Sequence, residues 1–210
     1  SLAYVIGDPS GGRFQLLKSS DYGAHWEDVS EEHPFLAAGG EAAFAASNGS
    51  LALKNGILML GTGGTTANFF RRDEKNGHTE KIHCPILQGS ASTGIFAIDF
   101  LDENIGVVVG GDYQNDSYRE NNILRTTDGG KHWQPAETAV FGYRSSVKYI
   151  SPTLLLATGT NGSDLSTDGG NSWKNLDQRS FNSIATSSSG KAIYLAGSAG
   201  TIFRLKLAVQ

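Results

Sequence analysis

Cysteine is nearly absent from this 210-residue chain, in which Cys84 is the only one. A single thiol excludes an internal disulfide framework and a zinc site built from cysteines. The five histidines form no helical His-x-x-x-His pair, and no stretch matches an ordered calcium loop or a dinucleotide-binding glycine fingerprint. The sequence therefore predicts neither a metal site nor a cofactor.

Long apolar runs and an excess of charge are also missing. No run approaches the length of a membrane-spanning helix, so no membrane span is expected. The chain has 17 Lys and Arg against 21 Asp and Glu, a formal net charge of −4, which argues against nucleic acid as the main partner. Because the first residues show neither a basic start nor a long apolar run, we expect no signal peptide in this chain.

Glycine, by contrast, is abundant, with 27 residues, and the apolar residues arrive in short bursts rather than helical stripes. A hydrophobic fraction of 39% is enough for a sizeable core, and chains of about this length form one all-β domain. The predicted fold class is therefore all-β, in a single domain over residues 1–210.

One signature, Ser/Thr-x-Asp-x-Gly-x-x-Trp, occurs three times, at residues 19–26, 126–133 and 166–173. Its Asp can accept hydrogen bonds from backbone N–H groups in a turn, its Gly supplies a positive φ, and its Trp buries a large ring against the hairpin. We predict a structural role, not a catalytic one, for the recurring residues: Ser19, Asp21, Gly23, Trp26, Thr126, Asp128, Gly130, Trp133, Ser166, Asp168, Gly170 and Trp173.

Apolar runs that end in glycine recur roughly every 40 to 50 residues, a period typical of propeller blades. Counting strands around each run gives five units, approximately 1–40, 41–90, 91–140, 141–178 and 179–210. We predict a β-propeller of four-stranded antiparallel blades. The second unit keeps an Asp and a Gly at its turn but lacks the Trp, and we interpret it as a degenerate copy.

The outer units are incomplete, because the first lacks its first strand and the last lacks its fourth. Two alternatives stay open. The chain is a fragment of a six- or seven-bladed propeller or lacks N-terminal residues, or five blades close by pairing residues 2–6 with the last blade, since an unpaired edge invites aggregation.

The signature resembles the Asp-box, or bacterial neuraminidase repeat, of sialidases, other glycosidases, sortilin-type receptor domains and photosystem II stability/assembly factor-like propellers. The likeness is greatest to the last group, whose blades run into Ile-Leu-Arg-Thr-Thr-Asp-Gly-Gly-x-x-Trp much as residues 123–133 do. One departure is that the usual Thr before the Trp is His25, His132 and Ser172 here. The hydrogen bond of that hydroxyl is therefore replaced or missing in two units.

The resemblance implies a non-catalytic scaffold that binds a protein or other macromolecule, with its Asp-box turns away from the central site. It also implies export to the periplasm or the cell exterior. The alternative is a sialidase-like or other Asp-box glycoside hydrolase, or a carbohydrate-binding domain. No spacing singles out three arginines to clamp a sugar carboxylate, so the catalytic residues stay unassigned.

The candidate binding segment is the long polar loop at residues 112–122. In a propeller, such loops share one face around the axis with the blade-to-blade connections, and a protein or glycan is the expected ligand on this channel face. Tyrosine and arginine supply contact area and charge-assisted hydrogen bonds at binding sites. The predicted contact residues on that face are Asp8, Arg13, Asp112, Tyr113, Tyr118, Arg119, Tyr143, Arg144 and Arg179.

Overall fold

The computed structural model describes residues 2–44, 47–187 and 192–206. Within these ranges the strands form five antiparallel sheets, numbered here sheet 1 to sheet 5 in chain order. Residues 188–191 and 207–210 of the last predicted unit lie outside the described residues.

Three sheets have the following strands. Sheet 1 has three: β1 (Ala3–Ser10), β2 (Arg13–Ser19) and β3 (Glu27–Asp28). Sheet 2 has four: β5 (Leu51–Lys54), β6 (Ile57–Gly61), β8 (Asn68–Asp73) and β9 (Thr79–His83). Sheet 4 also has four: β14 (Ser146–Tyr149), β15 (Leu155–Gly159), β16 (Gly162–Ser166) and β17 (Lys174–Asp177).

Sheet 5 has three strands: β18 (Ser183–Thr186), β19 (Ile193–Ala196) and β20 (Ile202–Leu205), with a 3-10 turn at Ser198–Gly200. Sheet 3 has six strands: β4 (Glu41–Ala42), β7 (Gly63–Gly64), β10 (Thr93–Phe100), β11 (Gly106–Asp112), β12 (Ile123–Thr126) and β13 (Gln134–Pro135). Their order across the sheet is β13-β12-β11-β10-β7-β4.

The two extra strands of sheet 3 depart from the predicted four-stranded blade, and glycine explains them. The segments of β7 and β10 cross so closely that a Cβ on Gly94 would lie 2.2 Å from the Cα of Gly63. Only residues without a side chain allow this approach. The long connection between sheets 1 and 2, which contains β4, is held against sheet 2 by Glu41. The buried carboxylate of Glu41 accepts hydrogen bonds from Asn68 Nδ2 (3.0 Å) and Lys81 Nζ (3.0 Å).

The core lies between consecutive sheets. Because successive strand residues point to opposite faces, each middle sheet packs on both of its neighbours. In sheet 3, Val108 and Leu124 join the cluster shared with sheet 2, whereas Val107 and Val109 join the cluster shared with sheet 4. Similar clusters join sheets 1 and 2 and sheets 4 and 5. The five sheets therefore stack face to face in chain order.

The signature tryptophans of sheets 3 and 4 each pack on the sheet that precedes their own in the chain. Trp133 of sheet 3 meets Phe69 of sheet 2 with ring centroids 5.1 Å apart. Trp173 of sheet 4 is 1% exposed and packs in the cluster that contains Val107 of sheet 3. Trp26 of sheet 1 is 43% exposed, because no sheet precedes it in the described chain. The expectation that each signature Trp is buried is wrong for this copy.

The turn between β8 and β9 of sheet 2 is the degenerate copy of the signature. It has a polar cluster at the place where a Trp would otherwise pack against sheet 1. Glu74 accepts a hydrogen bond from Tyr4 and lies 3.1 Å from Arg72 Nε and 3.3 Å from His33 Nδ1. The side chains of Arg72, Glu74 and His33 are nearly buried. Ionic and hydrogen-bonded contacts therefore replace the apolar contact at this junction.

The first strand belongs to sheet 1. β1 pairs with β2 from Ala3↔Ser19 to Ser10↔Arg13, and no pairing with sheet 5 occurs among the described residues. Within the ranges that the structure describes, residues 2–6 therefore do not close the five blades. The described residues also include no helix with the length and apolar character needed to cross a membrane.

Candidate functional site

The sheets carry two kinds of connection at their two ends. One end has the signature turns and is called the turn face. The opposite end, called the loop face, has the β11–β12 loop at residues 113–122, the β15–β16 turn at Thr160 and Asn161, and the β13–β14 connection at residues 136–145. The candidate site is on the loop face.

The three signature turns share the hydrogen bonds among their hydroxyl, carboxylate and glycine, and two of them also have an indole bond. In the sheet 4 copy, the Ser166 hydroxyl donates to Asp168 Oδ1 (2.8 Å) and accepts from the backbone N–H of Gly170 (2.9 Å). The Trp173 indole donates to the carbonyl of Gly170 (3.0 Å). Corresponding bonds connect Ser19, Asp21 and Gly23 in sheet 1 and Thr126, Asp128 and Gly130 in sheet 3. The signature carboxylates therefore accept hydrogen bonds from groups of their own turns.

Histidine replaces the missing threonine hydroxyl in two of the turns. His132 Nδ1 lies 2.6 Å from Asp128 Oδ2, and His25 Nδ1 lies 2.6 Å from Asp21 Oδ2. In the third turn, the Ser172 hydroxyl donates to Asp168 Oδ2 (2.5 Å). The second carboxylate oxygen is therefore satisfied in each copy.

Acid should weaken these turns. The Ser172 hydroxyl, aided by the Ser172 backbone N–H and the Ser166 hydroxyl, lowers the pKa of Asp168 to about 2. A depressed native pKa adds stability above the unfolded value, near pH 4, and that stability is lost as the pH falls toward 2. We expect Asp168→Asn to lower the melting temperature most near neutral pH, with the gap to wild type closing by about pH 2.

Thermal melts of both proteins across this pH range test the expectation. Glu27→Gln, which changes an exposed carboxylate of β3, serves as the control and should differ little from wild type throughout. A gap for Asp168→Asn that stays constant down to about pH 2 would contradict the role of the charge.

The loop at residues 113–122 is anchored to sheet 4. Asn161 Nδ2 donates to the carbonyls of Asp116 (2.5 Å) and Phe141 (3.0 Å). The Thr160 hydroxyl donates to Asp116 Oδ2 (2.7 Å), and the buried Asn122 amide donates to the carbonyl of Gly142 (2.6 Å). The backbone of the loop is therefore held in one place by side chains below it.

A fully buried ion pair supports that anchor. Arg144 and Asp164 have no exposed side-chain surface, and Arg144 Nε donates to Asp164 Oδ2 (2.7 Å). Arg144 Nη1 also donates to Asn161 Oδ1 (2.5 Å), while Asp164 accepts from the backbone N–H of Phe141 (3.0 Å). The predicted contact residue Arg144 therefore lies in the interior, where it positions the loop.

Four aromatic rings form the centre of the loop face, here called the aromatic cluster: Phe44, Phe96, Tyr113 and Tyr143. Phe44 stacks on Phe96 with centroids 4.0 Å apart, and Tyr143 meets Phe96 edge to face at 4.8 Å. Tyr113 packs edge-on against Phe96 at 6.0 Å and is 47% exposed. Burial raises the pKa of Tyr143, so this ring stays neutral beneath the exposed one.

A second exposed group lies farther along the same loop. The Arg119 guanidinium sits 4.0 Å from the ring centroid of Phe141, which is 38% exposed. Tyr118 is also 38% exposed, and its hydroxyl donates to Glu120 Oε2 (2.9 Å). Arg119 has no carboxylate within ion-pair distance among the described residues, so its charge is available to an anionic group.

The other predicted contact residues have partners within the chain. Asp112 Oδ1 accepts from the backbone N–H of Gln114 (2.9 Å), which shapes the start of the loop. Asp8 accepts from the backbone N–H of Ala43 (3.2 Å). Arg13 pairs with Glu31 (3.4 Å), and Arg179 pairs with Asp177 (2.5 Å). The structure gathers Asp112, Tyr113, Tyr118, Arg119 and Tyr143 on one loop system and leaves Asp8, Arg13 and Arg179 outside it.

The innermost strands of sheets 2 to 5 border a groove of about 410 Å³. Asp99 lies there, accepts from the backbone N–H of Tyr149 (2.7 Å) and pairs with Lys148 (3.4 Å). The described residues include no group of three His, Cys, Asp or Glu side chains that could hold a metal ion. Asp99 and Lys148 of the groove are therefore used to join strands.

Sequence reasoning missed four contributors to the site: Phe44, Phe96, Phe141 and Asn161. Phe96 lies at an irregularity of β10, where the register shifts between Ile95 and Ala97. Phe44 has a positive φ of 48° and comes from the connection between sheets 1 and 2. Their positions depend on contacts between distant segments. Phe141 could have been chosen from the sequence, because it lies beside the candidate residues Tyr143 and Arg144.

Comparison with known proteins shows the fold. No protein-family model matches this chain, and no curated protein matches it. Among solved structures, YCF48 bound to a D1 peptide aligns with a TM-score of 0.59 and 17% identity over 96% of this chain and 60% of that chain. An ancestral GH74 enzyme aligns with a TM-score of 0.56 and 16% identity over 92% of this chain and 27% of that chain.

The computationally designed Ika4 protein aligns with a TM-score of 0.53 and 13% identity, over 75% of this chain and 89% of that chain. At these identities the likeness concerns the fold alone. The chain is an all-β protein whose antiparallel sheets are arranged as in β-propellers.

Proposed function

We propose that this chain is a non-catalytic propeller scaffold that binds an extended peptide segment of a partner protein on its loop face. The observation that carries the proposal is that Tyr113, Tyr118 and Arg119 are exposed on a loop whose backbone is anchored. Tyrosine and arginine dominate binding energy at protein interfaces. A loop that is already ordered avoids part of the entropic cost of binding.

The charge of the loop indicates the chemistry of the peptide. The loop's carboxylates Asp112, Asp116 and Glu120 accept hydrogen bonds from groups of the chain itself, whereas Arg119 has no acidic partner among the described residues. A peptide with an apolar or aromatic side chain beside a carboxylate fits this pattern. The ring of Tyr113 takes the former, and Arg119 pairs with the latter.

Peptide binding also occurs in a protein with this fold, since YCF48 has been solved with a D1 peptide. That likeness supports the class of ligand and does not identify it. The GH74 neighbour supports no hydrolase proposal here, because Asp99 in the groove pairs with Lys148 and the arginines Arg13, Arg144 and Arg179 pair with separate carboxylates.

The proposal also covers the domain architecture of the chain. Residues 1–210 form one propeller domain of five repeat units, and the signature turns are structural Asp-boxes on the turn face. Among the described residues, no further sheet covers the outer faces of sheets 1 and 5. Additional blades, giving six or seven in all, would cover them.

Tyr113→Ala and Arg119→Ala should each weaken peptide binding by about tenfold or more, which corresponds to about 1.4 kcal/mol. Peptides are first selected on the immobilised chain from a displayed library of random linear sequences. Isothermal titration then measures the dissociation constant of the strongest binder for wild type and both variants. Unchanged circular dichroism and melting temperature show that the variants are folded, because both side chains are exposed.

Tyr194→Ala is the matched control, since Tyr194 is similarly exposed, at 39%, but lies on sheet 5. It should bind the selected peptide as wild type does. Selection of no peptide, or equal binding by all three variants, would overturn the proposed site. A parallel glycan array that gives binding or turnover would favour the carbohydrate alternative.

A further inference from the structure

We propose that the peptide bound on the loop face has a basic residue close to its acidic residue, and that Glu137 receives this basic side chain in a groove beside Arg119. The inference rests on the proposed function and adds a second charged subsite to it. Glu137 would then select among peptides, because a matching charge favours one partner and a like charge rejects another.

The groove lies between two segments of the loop face. One side is formed by residues 119–123, at the end of the β11–β12 loop and the start of β12, and the other by residues 135–137 and Ala139. Its volume is about 440 Å³, within the range of about 300 to 1,000 Å³ that is typical of small-ligand sites. The groove therefore has room for a peptide side chain next to Arg119.

The groove exists because the chain leaves sheet 3 early on this side. β13 has only two residues, Gln134–Pro135, and the chain then turns toward sheet 4. There the Glu137 backbone N–H donates to the carbonyl of Asn171 (2.8 Å), and Thr138 forms a bridge with Ser172. The departure of the chain from β12 leaves the groove open, and the contacts with sheet 4 hold the backbone of Glu137 in place.

The groove has one positive and one negative group that are available to a ligand. Glu137 is exposed, and in the part of the chain that the structure describes neither Glu137 nor Arg119 has an ion-pair partner. Glu120 also lines the groove, but its carboxylate accepts a hydrogen bond from the Tyr118 hydroxyl (2.9 Å). A peptide with both charges complements this pair of groups.

The apolar lining of the groove suits a long basic side chain. Pro135, Ala136 and Ala139 supply small apolar surfaces beside Glu137. Lysine and arginine pack their aliphatic stems on such surfaces and keep the charged head at a polar partner. The basic residue of the peptide thus reaches the Glu137 carboxylate along these residues. Because Arg119 would repel a basic residue on its own, the acidic residue that pairs with Arg119 is required as well.

Peptide selection on two forms of the chain tests the subsite. The library of random linear sequences is panned on wild type and, in parallel, on Glu137→Lys. Peptides from wild type should have Lys or Arg within about three residues of an Asp or Glu more often than the unselected library does. Peptides from Glu137→Lys should lose this basic residue and gain an acidic one, since the introduced ammonium repels the former and attracts the latter.

Isothermal titration measures the coupling between Glu137 and the basic residue of the strongest wild-type binder. Glu137→Gln should weaken binding of this peptide about two- to fivefold, the effect of an exposed ion pair. A peptide with Gln in place of the basic residue should bind both proteins equally. Added salt, at about 0.5 M, should reduce the difference between the proteins. Glu27→Gln, at an exposed position of sheet 1, is the matched control and should bind as wild type does.

The outcomes separate this subsite from the peptide site as a whole. Peptides that lose affinity with Tyr113→Ala and Arg119→Ala, but show no enriched basic residue and bind Glu137→Gln as wild type, would overturn the subsite and leave the peptide site standing. Selection of no peptide, or equal binding by Tyr113→Ala and Arg119→Ala, would overturn both. Circular dichroism confirms that the Glu137 variants are folded, since this position is exposed.

Discussion

Trp173→Ala is expected to lower the free energy of unfolding by about 3 to 5 kcal/mol. Trp173 is 1% exposed and fills the junction between sheets 3 and 4 beside Val107 and Leu155. Removal of the indole loses its apolar burial and leaves a cavity that the surrounding strands fill only in part. The hydrogen bond to the Gly170 carbonyl, 3.0 Å long, is lost as well.

Trp26→Ala is the matched control within the same chain. It removes the same side chain and the same indole hydrogen bond from a turn of the same pattern, but its ring is 43% exposed. We expect a loss of about 1 kcal/mol or less. Urea unfolding of both variants measures the two values, and equal losses would contradict the packing of each signature Trp on the preceding sheet.

Asp164→Asn is expected to cost about 3 to 5 kcal/mol, because it leaves the buried Arg144 guanidinium without a negative partner. Both side chains have no exposed surface, and the pair joins the β13–β14 connection to β16. A single neutralised oxygen cannot offset the desolvation of the arginine. The variant should also loosen the loop at residues 113–122, since Arg144 holds Asn161.

Asp177→Asn provides the comparison. Asp177 pairs with Arg179 at 2.5 Å, but Arg179 is 55% exposed, and such pairs contribute about 0 to 1 kcal/mol. Urea unfolding gives the stability of each variant. A loss for Asp164→Asn as small as that for Asp177→Asn would show that the buried pair does not hold the sheets and the loop together.

The local features of the fold were predictable from the sequence because they rest on contacts within a few residues. The turn pattern around Asp21, Asp128 and Asp168 requires a hydroxyl, a carboxylate and a glycine at fixed spacing, and all three turns have it. The all-β class followed from short apolar runs separated by turn residues. These signals do not depend on how distant segments pack.

The features that could not be predicted depend on neighbours far along the chain. The exposure of Trp26 follows from the absence of a preceding sheet in the described structure, and the burial of Arg144 follows from Asp164 below it. The strands β4 and β7 join sheet 3 through the close approach of Gly63 and Gly94. No periodicity or local spacing in the sequence encodes these contacts.

The candidate site divides in the same way. Tyr113, Tyr118 and Arg119 could be chosen because they share one long polar loop. Phe96 reaches Tyr113 only through an irregular register in β10, and Asn161 reaches the loop from the next sheet. The sequence could therefore indicate the exposed contact groups, whereas the side chains that hold them required the structure.

Hydrogen–deuterium exchange with and without the strongest selected peptide tests the central claim most directly, because it locates the bound surface without any substitution. We predict slower exchange in residues 113–122 and 140–145, with the signature turns on the opposite face unchanged. Protection confined to the signature turns or to the free edge of β1, with the loop at residues 113–122 exchanging as before, would contradict the account.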